Sequence, residues 1–144
     1  MYKKILMPVD VFEMDLSDKA LRHAAWLAGE EGEITLVNVL PNSSRSLLRG
    51  FASDIRKLED FMKNESKLKM KRLLRLLDIP ESRLRTEVRF GNIRDEIITM
   101  SKSDGYDAIV IGSRAPGRTS HLLGSNAESI LRQAAIPTMV VRES

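Results

Sequence analysis

The chain is 144 residues long, 42% hydrophobic and 30% charged, the size and mixture of one compact domain able to bury a core. It has no cysteine, which excludes disulfides, thiolate catalysis and Cys-ligated zinc. The net charge of +3 comes with only 5% aromatics and with Lys and Arg mixed among Glu and Asp, so binding to nucleic acid, which uses concentrated basic residues interleaved with aromatics, is not expected.

The opening "MYKKILMPVD" runs directly into apolar residues closed by an acid, without the long apolar core and small-residue cleavage site of a leader peptide. No stretch approaches the roughly 18 to 20 apolar residues that span a bilayer, so the expectation is a soluble cytoplasmic protein with no membrane partner. "KILMPV" (4–9) reads as a first strand. Ser17 can cap a helix starting at Asp18, with Leu21, Ala24, Ala25, Leu27 and Ala28 as its apolar stripe and Gly32 as its stop. "EITLVNVL" (33–40) is a second strand. "PNSSRSLLRG" (41–50) follows it, as a flap over a site or as a plain surface connection.

A longer helix is expected from about Ser53 to Leu77, with Ile55, Leu58, Phe61, Met62, Leu73, Leu76 and Leu77 on its apolar side and a Lys-rich face toward solvent. "RLRTEVRF" (83–90) alternates apolar or neutral with charged residues, as a half-exposed edge strand does. "NIRDEIITMSKS" (92–103) is a third helix, "AIVIG" (108–112) a fourth strand, "SNAESILRQAA" (125–135) a fourth helix and "PTMVVR" (137–142) a fifth strand. Strands alternating with helices predict an α/β fold: an open, doubly wound parallel sheet with helices on both faces, in one domain over 1–144.

In such a sheet, ligands bind at the carboxyl ends of the strands where the winding reverses. Strand one ends at Pro8-Val9-Asp10 and strand four at Gly112-Ser113, so both features meet at one crevice. Gly112 and Gly124 carry no Cβ and let the backbone approach a ligand closely. The first turn of the fourth helix offers unpaired N–H groups to an anion, and Arg114 and Arg118 can add charge-assisted contacts. Asp10 suits ribose hydroxyls, an exocyclic amine or a metal better than phosphate. Each residue also has a purely structural reading. Ser125 and Glu128 match a capping box, Asp10 can accept loop N–H groups, and the two arginines can face water.

Other chemistry finds no motif. A Walker A lysine and a G-x-G-x-x-G fingerprint are both missing. The two histidines, His23 and His121, lack metal-ligand spacing, so no metal site is expected. His121 falls in the glycine loop, within reach of a phosphate. The serines have no evident base, which leaves no catalytic residue to assign.

The glycine loop itself, Gly112-Ser113-Arg114, a spacer, then Gly124-Ser125 before a helix and the final "PTMVVR", resembles the nucleotide-binding signature of the universal stress protein family, G-x2-G-x9-G-[ST]. The likeness spans nearly the whole chain. "KILMPVDVFEMDLSDKALRHA", "VRFGNIRDEI" and "HLLGSNAESILRQAAIPTMVVR" look most like the family's enterobacterial UspG-like subgroup. The resemblance implies a Rossmann-like sheet of the adenine nucleotide alpha hydrolase-like type, five parallel strands in the order 3-2-1-4-5. It implies an adenine nucleotide: ATP, or AMP or ADP, with or without Mg. The adenine and ribose would lie near Pro8, Val9, Asp10 and Val39, and the phosphates on Gly112, Ser113, Arg114, Gly124, Ser125 and Asn126. It further implies a homodimer paired through the last strand, Met139 to Val141, a role in the stress response, and in some members slow self-phosphorylation or self-adenylylation. Two departures stand out: the second glycine of the signature is Ala115, and eight residues rather than nine separate it from Gly124. With Pro116 they favour an alternative, a stress-induced protein-interaction module that has lost nucleotide. A second alternative, an ATP-hydrolysing enzyme, would need a nucleophile and a metal-carboxylate set.

Overall fold

The computed structural model describes residues 2–11, 19–42, 52–113 and 125–142. Five strands, β1 (Lys4–Pro8), β2 (Glu33–Leu40), β3 (Leu84–Phe90), β4 (Ala108–Ser113) and β5 (Thr138–Arg142), form one parallel sheet in the order β3-β2-β1-β4-β5. Between them run α1 (Lys19–Ala28), α2 (Ala52–Leu74), α3 (Ile93–Ser103) and α4 (Ser125–Gln133). This is the expected α/β fold and strand order, and each strand lies within one residue of its expected bounds.

The winding follows from chirality. β1, β2 and β3 step toward one edge, and β3, β4 and β5 step across to the other. Right-handed crossovers therefore put α1 and α2 on one face and α3 and α4 on the opposite one. The central strands are apolar on both sides because both sides are covered. Ile5, Met7, Ile34, Leu36 and Val110 pack with Ala20, Leu21, Ala24 and Met70 on the first face. Leu6, Val37, Ile109 and Ile111 pack with Ile97, Met100, Ala127 and Ile130 on the second.

The alignment of β1 with β4 is locked at their starts. Asp107 accepts hydrogen bonds from the backbone N–H groups of Lys3 (2.8 Å) and Lys4 (2.9 Å), and its own N–H donates to the Lys4 carbonyl at 2.9 Å. Register set here determines which residues stand level at the far, carboxyl end. α3 starts where the sequence places it: the Asn92 side chain accepts from the Asp95 N–H, and Asp95 and Glu96 sit in its first turn, the positive end of the helix dipole.

Two expectations need correction. α1 stops at Gly29, not Gly32: Gly29 takes a positive φ of 64° and donates to the Ala25 and Trp26 carbonyls, each at 3.2 Å. Gly32 instead serves a close crossing of backbone against Tyr2 and Ala28. α2 ends at Leu74, short of the expected Leu77; along it the residues buried against the sheet are Ile55, Ser66, Met70, Leu73 and Leu74, whereas Leu58 and Phe61 are exposed, as is Leu76 beyond its end. The helix has two apolar stripes, and a single-stripe reading merges them. Ser66 enters the core because its hydroxyl accepts a hydrogen bond from buried Asn38 at 2.8 Å. The expected Ser17 cap and Asp18 start lie outside the described residues, as does most of the 41–50 segment.

Candidate functional site

The crevice forms where the winding reverses, between the carboxyl ends of β1 and β4. Pro8 ends β1 and pairs with Val37, and the Val9 N–H extends the ladder by donating to the Val37 carbonyl at 2.8 Å. Carrying this register forward sets Asp10 level with Val39. Carrying the Leu6–Ile109 pairing forward sets Asp10 level with Ser113 as well. The carboxyl edge therefore presents Val39, Asp10 and Ser113 in one row. Val39 packs partly buried on the α3–α4 face, while Val9 is buried on the opposite face among the residues under α1. Strand alternation thus assigns position 10 to the α3–α4 side. Asp10 is half-buried there, with partners of its own.

α4 packs on that same face through Ala127 and Ile130, so its first residues, Ser125 and Asn126, lie on the side of the sheet that Asp10 occupies. A helix start aimed along the carboxyl edge brings a partial positive charge to it. α4 begins at Ser125, and Gly124 before it lies outside the described residues. Glu128 is bound by Arg132 one turn on, at 2.6 Å, in an exposed pair, and the Ser125 side chain of the expected capping box lies outside the described residues. Gly112 is the penultimate residue of β4, beside Val141 of β5. Arg114, Ala115, Pro116, Arg118, His121 and Gly124 lie outside the described residues. His23 is exposed on α1 with its Nδ1 on the Lys19 carbonyl at 2.8 Å.

One cation at the rim escapes a sequence reading. Arg142 ends β5 in register with Ser113, and its neighbour Val141 is buried toward α1, so alternation turns Arg142 to the α3–α4 side. The signal was the strand position itself: the last residue of "PTMVVR" stands level with the end of "AIVIGS".

Among the described residues, the titratable group most clearly shifted is at the other end of the sheet. Tyr106 precedes β4 and is 7% exposed, with the Lys4 ammonium 4.5 Å from its ring centroid. Burial holds its hydroxyl above the usual tyrosine range. The carboxylates of Glu87 and Asp104 push the same way, while the Thr35 hydroxyl and Arg89 oppose them. The Thr35 Oγ1 is buried without a partner at full hydrogen-bond geometry, so Tyr106 reaches it only loosely. Lys4 and Thr35 place this cluster at the starts of β1 and β2, the end of the sheet opposite the crevice.

The shift has a pH consequence. A folded protein that holds the phenolic proton longer than the unfolded chain keeps this contribution in full below about pH 10 and loses it as pH rises through the folded value. Tyr106→Phe should therefore flatten the alkaline fall in unfolding free energy, followed by urea denaturation across that range. An equally steep fall in the variant would show that Tyr106 does not carry it.

The model of the universal stress protein family matches residues 1–142. Universal stress protein G of Salmonella typhimurium is 49% identical over 142 residues, 99% of this chain and 100% of that protein. The solved structure of MJ0577, a universal stress protein of Methanocaldococcus jannaschii, superposes with a TM-score of 0.72 at 25% identity, covering 100% of this chain and 98% of its own. A universal stress protein solved in complex with cAMP superposes with a TM-score of 0.58 at 14% identity, covering 97% and 96%, a likeness of fold.

Proposed function

The chain belongs to the universal stress protein family, and from that premise we propose that it binds an adenine nucleotide, foremost ATP, in the β1/β4 crevice and acts as a nucleotide-dependent regulator of the stress response in the cytoplasm. The observation that carries this reading is the row Val39, Asp10 and Ser113 at the point where the winding reverses, with the start of α4 on the same face. A relative of the same fold solved with cAMP supports the ligand class.

The residues suit the parts of a nucleotide differently. Asp10 offers carboxylate oxygens to ribose hydroxyls, with Pro8 and Val39 forming the apolar edge on which a base can rest, while Val9, its side chain turned under α1, contributes backbone only. Gly112 and Ser113 bring bare backbone to the crevice, and the Ser125 and Asn126 N–H groups face negative charge. Arg114, Gly124 and Arg142 complete a phosphate side with charge-assisted donors and a close backbone approach. Phosphate held there would draw the 112–126 loop and the 41–50 flap toward the crevice. The change in shape is what a partner would read. The proposal includes one domain over 1–144 and a homodimer paired through Met139 to Val141.

If Asp10 holds ribose, Asp10→Ala removes a charge-assisted hydrogen bond worth about 1.5–3 kcal/mol, a loss of about tenfold or more in affinity. The loss should fall on adenosine and ATP alike, measured by titration calorimetry on protein stripped of nucleotide. Unchanged affinity for both would remove Asp10 from the site.

A further inference from the structure

α2 carries an apolar stripe that the core does not use. Leu58, Phe61 and Leu68 are 57%, 60% and 51% exposed, on the side away from Met70 and Leu73. They belong to a longer pattern. Asp54, Leu58, Phe61, Glu65, Leu68 and Arg72 recur at steps of 4, 3, 4, 3 and 4 residues, which keeps them on one helix face. That is the spacing of a coiled-coil seam, here turned to solvent.

The pattern is complementary to itself. Asp54 and Arg72, Leu58 and Leu68, and Phe61 and Glu65 share one midpoint, at the level of residue 63. A second copy laid antiparallel about a two-fold axis at that level meets Leu58 with Leu68 and Phe61 with Glu65. Asp54 then meets Arg72, and every pair occurs twice. The wider charges are uneven. Asp54, Glu59 and Asp60 are balanced by Arg56, Lys57 and Lys63 in the first half of α2, while Lys67, Lys69, Lys71 and Arg72 outweigh Glu65 in the second. Antiparallel pairing sets the basic half against the balanced one, whereas parallel pairing sets the four cations of the second half against their own copies. Glu65 is the polar member of the seam. A polar seam residue costs stability and specifies register.

We propose that α2 is a self-docking surface through which two copies of this chain pair antiparallel, with Leu58, Phe61 and Leu68 at the seam and Asp54–Arg72 ion pairs at its ends. α2 packs on β3, at the edge of the sheet opposite β5. The surface is therefore separate from the last-strand pairing and can operate beside it.

Sedimentation equilibrium over a wide concentration range tests this, with circular dichroism confirming that each variant folds. All substituted positions are exposed or half-buried on α2. A step of association should be weakened at least about tenfold by Phe61→Asp, about 1.4 kcal/mol. It should be weakened by Asp54→Arg or Arg72→Asp alone and restored when the two reversals are combined. The absence of any such step, or assembly unchanged by Phe61→Asp, overturns the proposal. Failure of the double reversal to restore association overturns the antiparallel arrangement.

Discussion

Gly32→Ala is expected to destabilise the fold by about 3 kcal/mol, the upper range for forced overpacking. A Cβ on this residue would strike the Tyr2 carbonyl oxygen, and it would lie 2.5 Å from the Ala28 carbonyl oxygen and 2.8 Å from the Ala28 Cα. All three are backbone atoms, so no side chain can swing aside. The backbone is also tied in place. Gly32 donates to the Ala28 carbonyl at 2.9 Å, Tyr2 to Leu27 at 3.0 Å and Glu33 to Lys3 at 2.8 Å. Arg83 grips the same turn from outside, through the Gly32 carbonyl at 2.8 Å and the Gly29 carbonyl at 2.7 Å. Relief would require moving the entry of β1 away from the end of α1. At about 2–4 °C per kcal/mol for a chain of this size, the midpoint of thermal unfolding should fall by about 10 °C. Gly105→Ala is the control. Gly105 has a positive φ of 77° but open space around its Cβ, so it should cost only the conformational penalty of about 1–2 kcal/mol. Equal losses at the two glycines would show that the close crossing at Gly32 is not what restricts that site.

Gly124→Asp should weaken the binding of phosphate-bearing ligands selectively. On the proposed site, Gly124 precedes the first residue of α4, where a bound phosphate would lie against backbone N–H groups. A side chain there blocks the approach, and a carboxylate adds like charge beside phosphate. ATP affinity should fall by at least about tenfold, or ~1.4 kcal/mol. Adenosine, which has no phosphate, should bind the variant and the parent protein alike. That contrast separates a lost phosphate cradle from a damaged fold. Equal ATP affinity in the two proteins would contradict a phosphate site at the start of α4.

The strands were readable because their physics is local. "KILMPV" and "AIVIG" are apolar on both faces, a pattern that only a covered parallel sheet explains, and their bounds shift by one residue at most. The crevice was readable for a topological reason: a sheet that winds both ways reverses at a definable place, and Asp10 and Gly112 stand at the ends of the two strands there. What escaped was information held in tertiary contacts. Gly32 looked like a helix stop because glycine after an amphipathic run usually is one, while Gly29 performs that role and Gly32 answers to Tyr2, remote in sequence. The two faces of α2 could not be separated by hydrophobicity, since Leu58 and Phe61 resemble Ile55 and Leu73 in everything except what they touch. Ser66 was invisible as a core residue because its buried partner, Asn38, lies on another element. Arg142 needed the β4–β5 register before its place beside Ser113 could be seen.

Nucleotide binding is the centre of the account, and titration calorimetry of the nucleotide-stripped protein with Mg-ATP tests it most directly. The account predicts saturable heat with one site per chain and a matching rise in thermal stability with ligand concentration. No heat and no thermal shift at millimolar ATP would contradict it. That result would favour the reading suggested by Ala115 and Pro116, a universal stress protein that works through protein contacts alone.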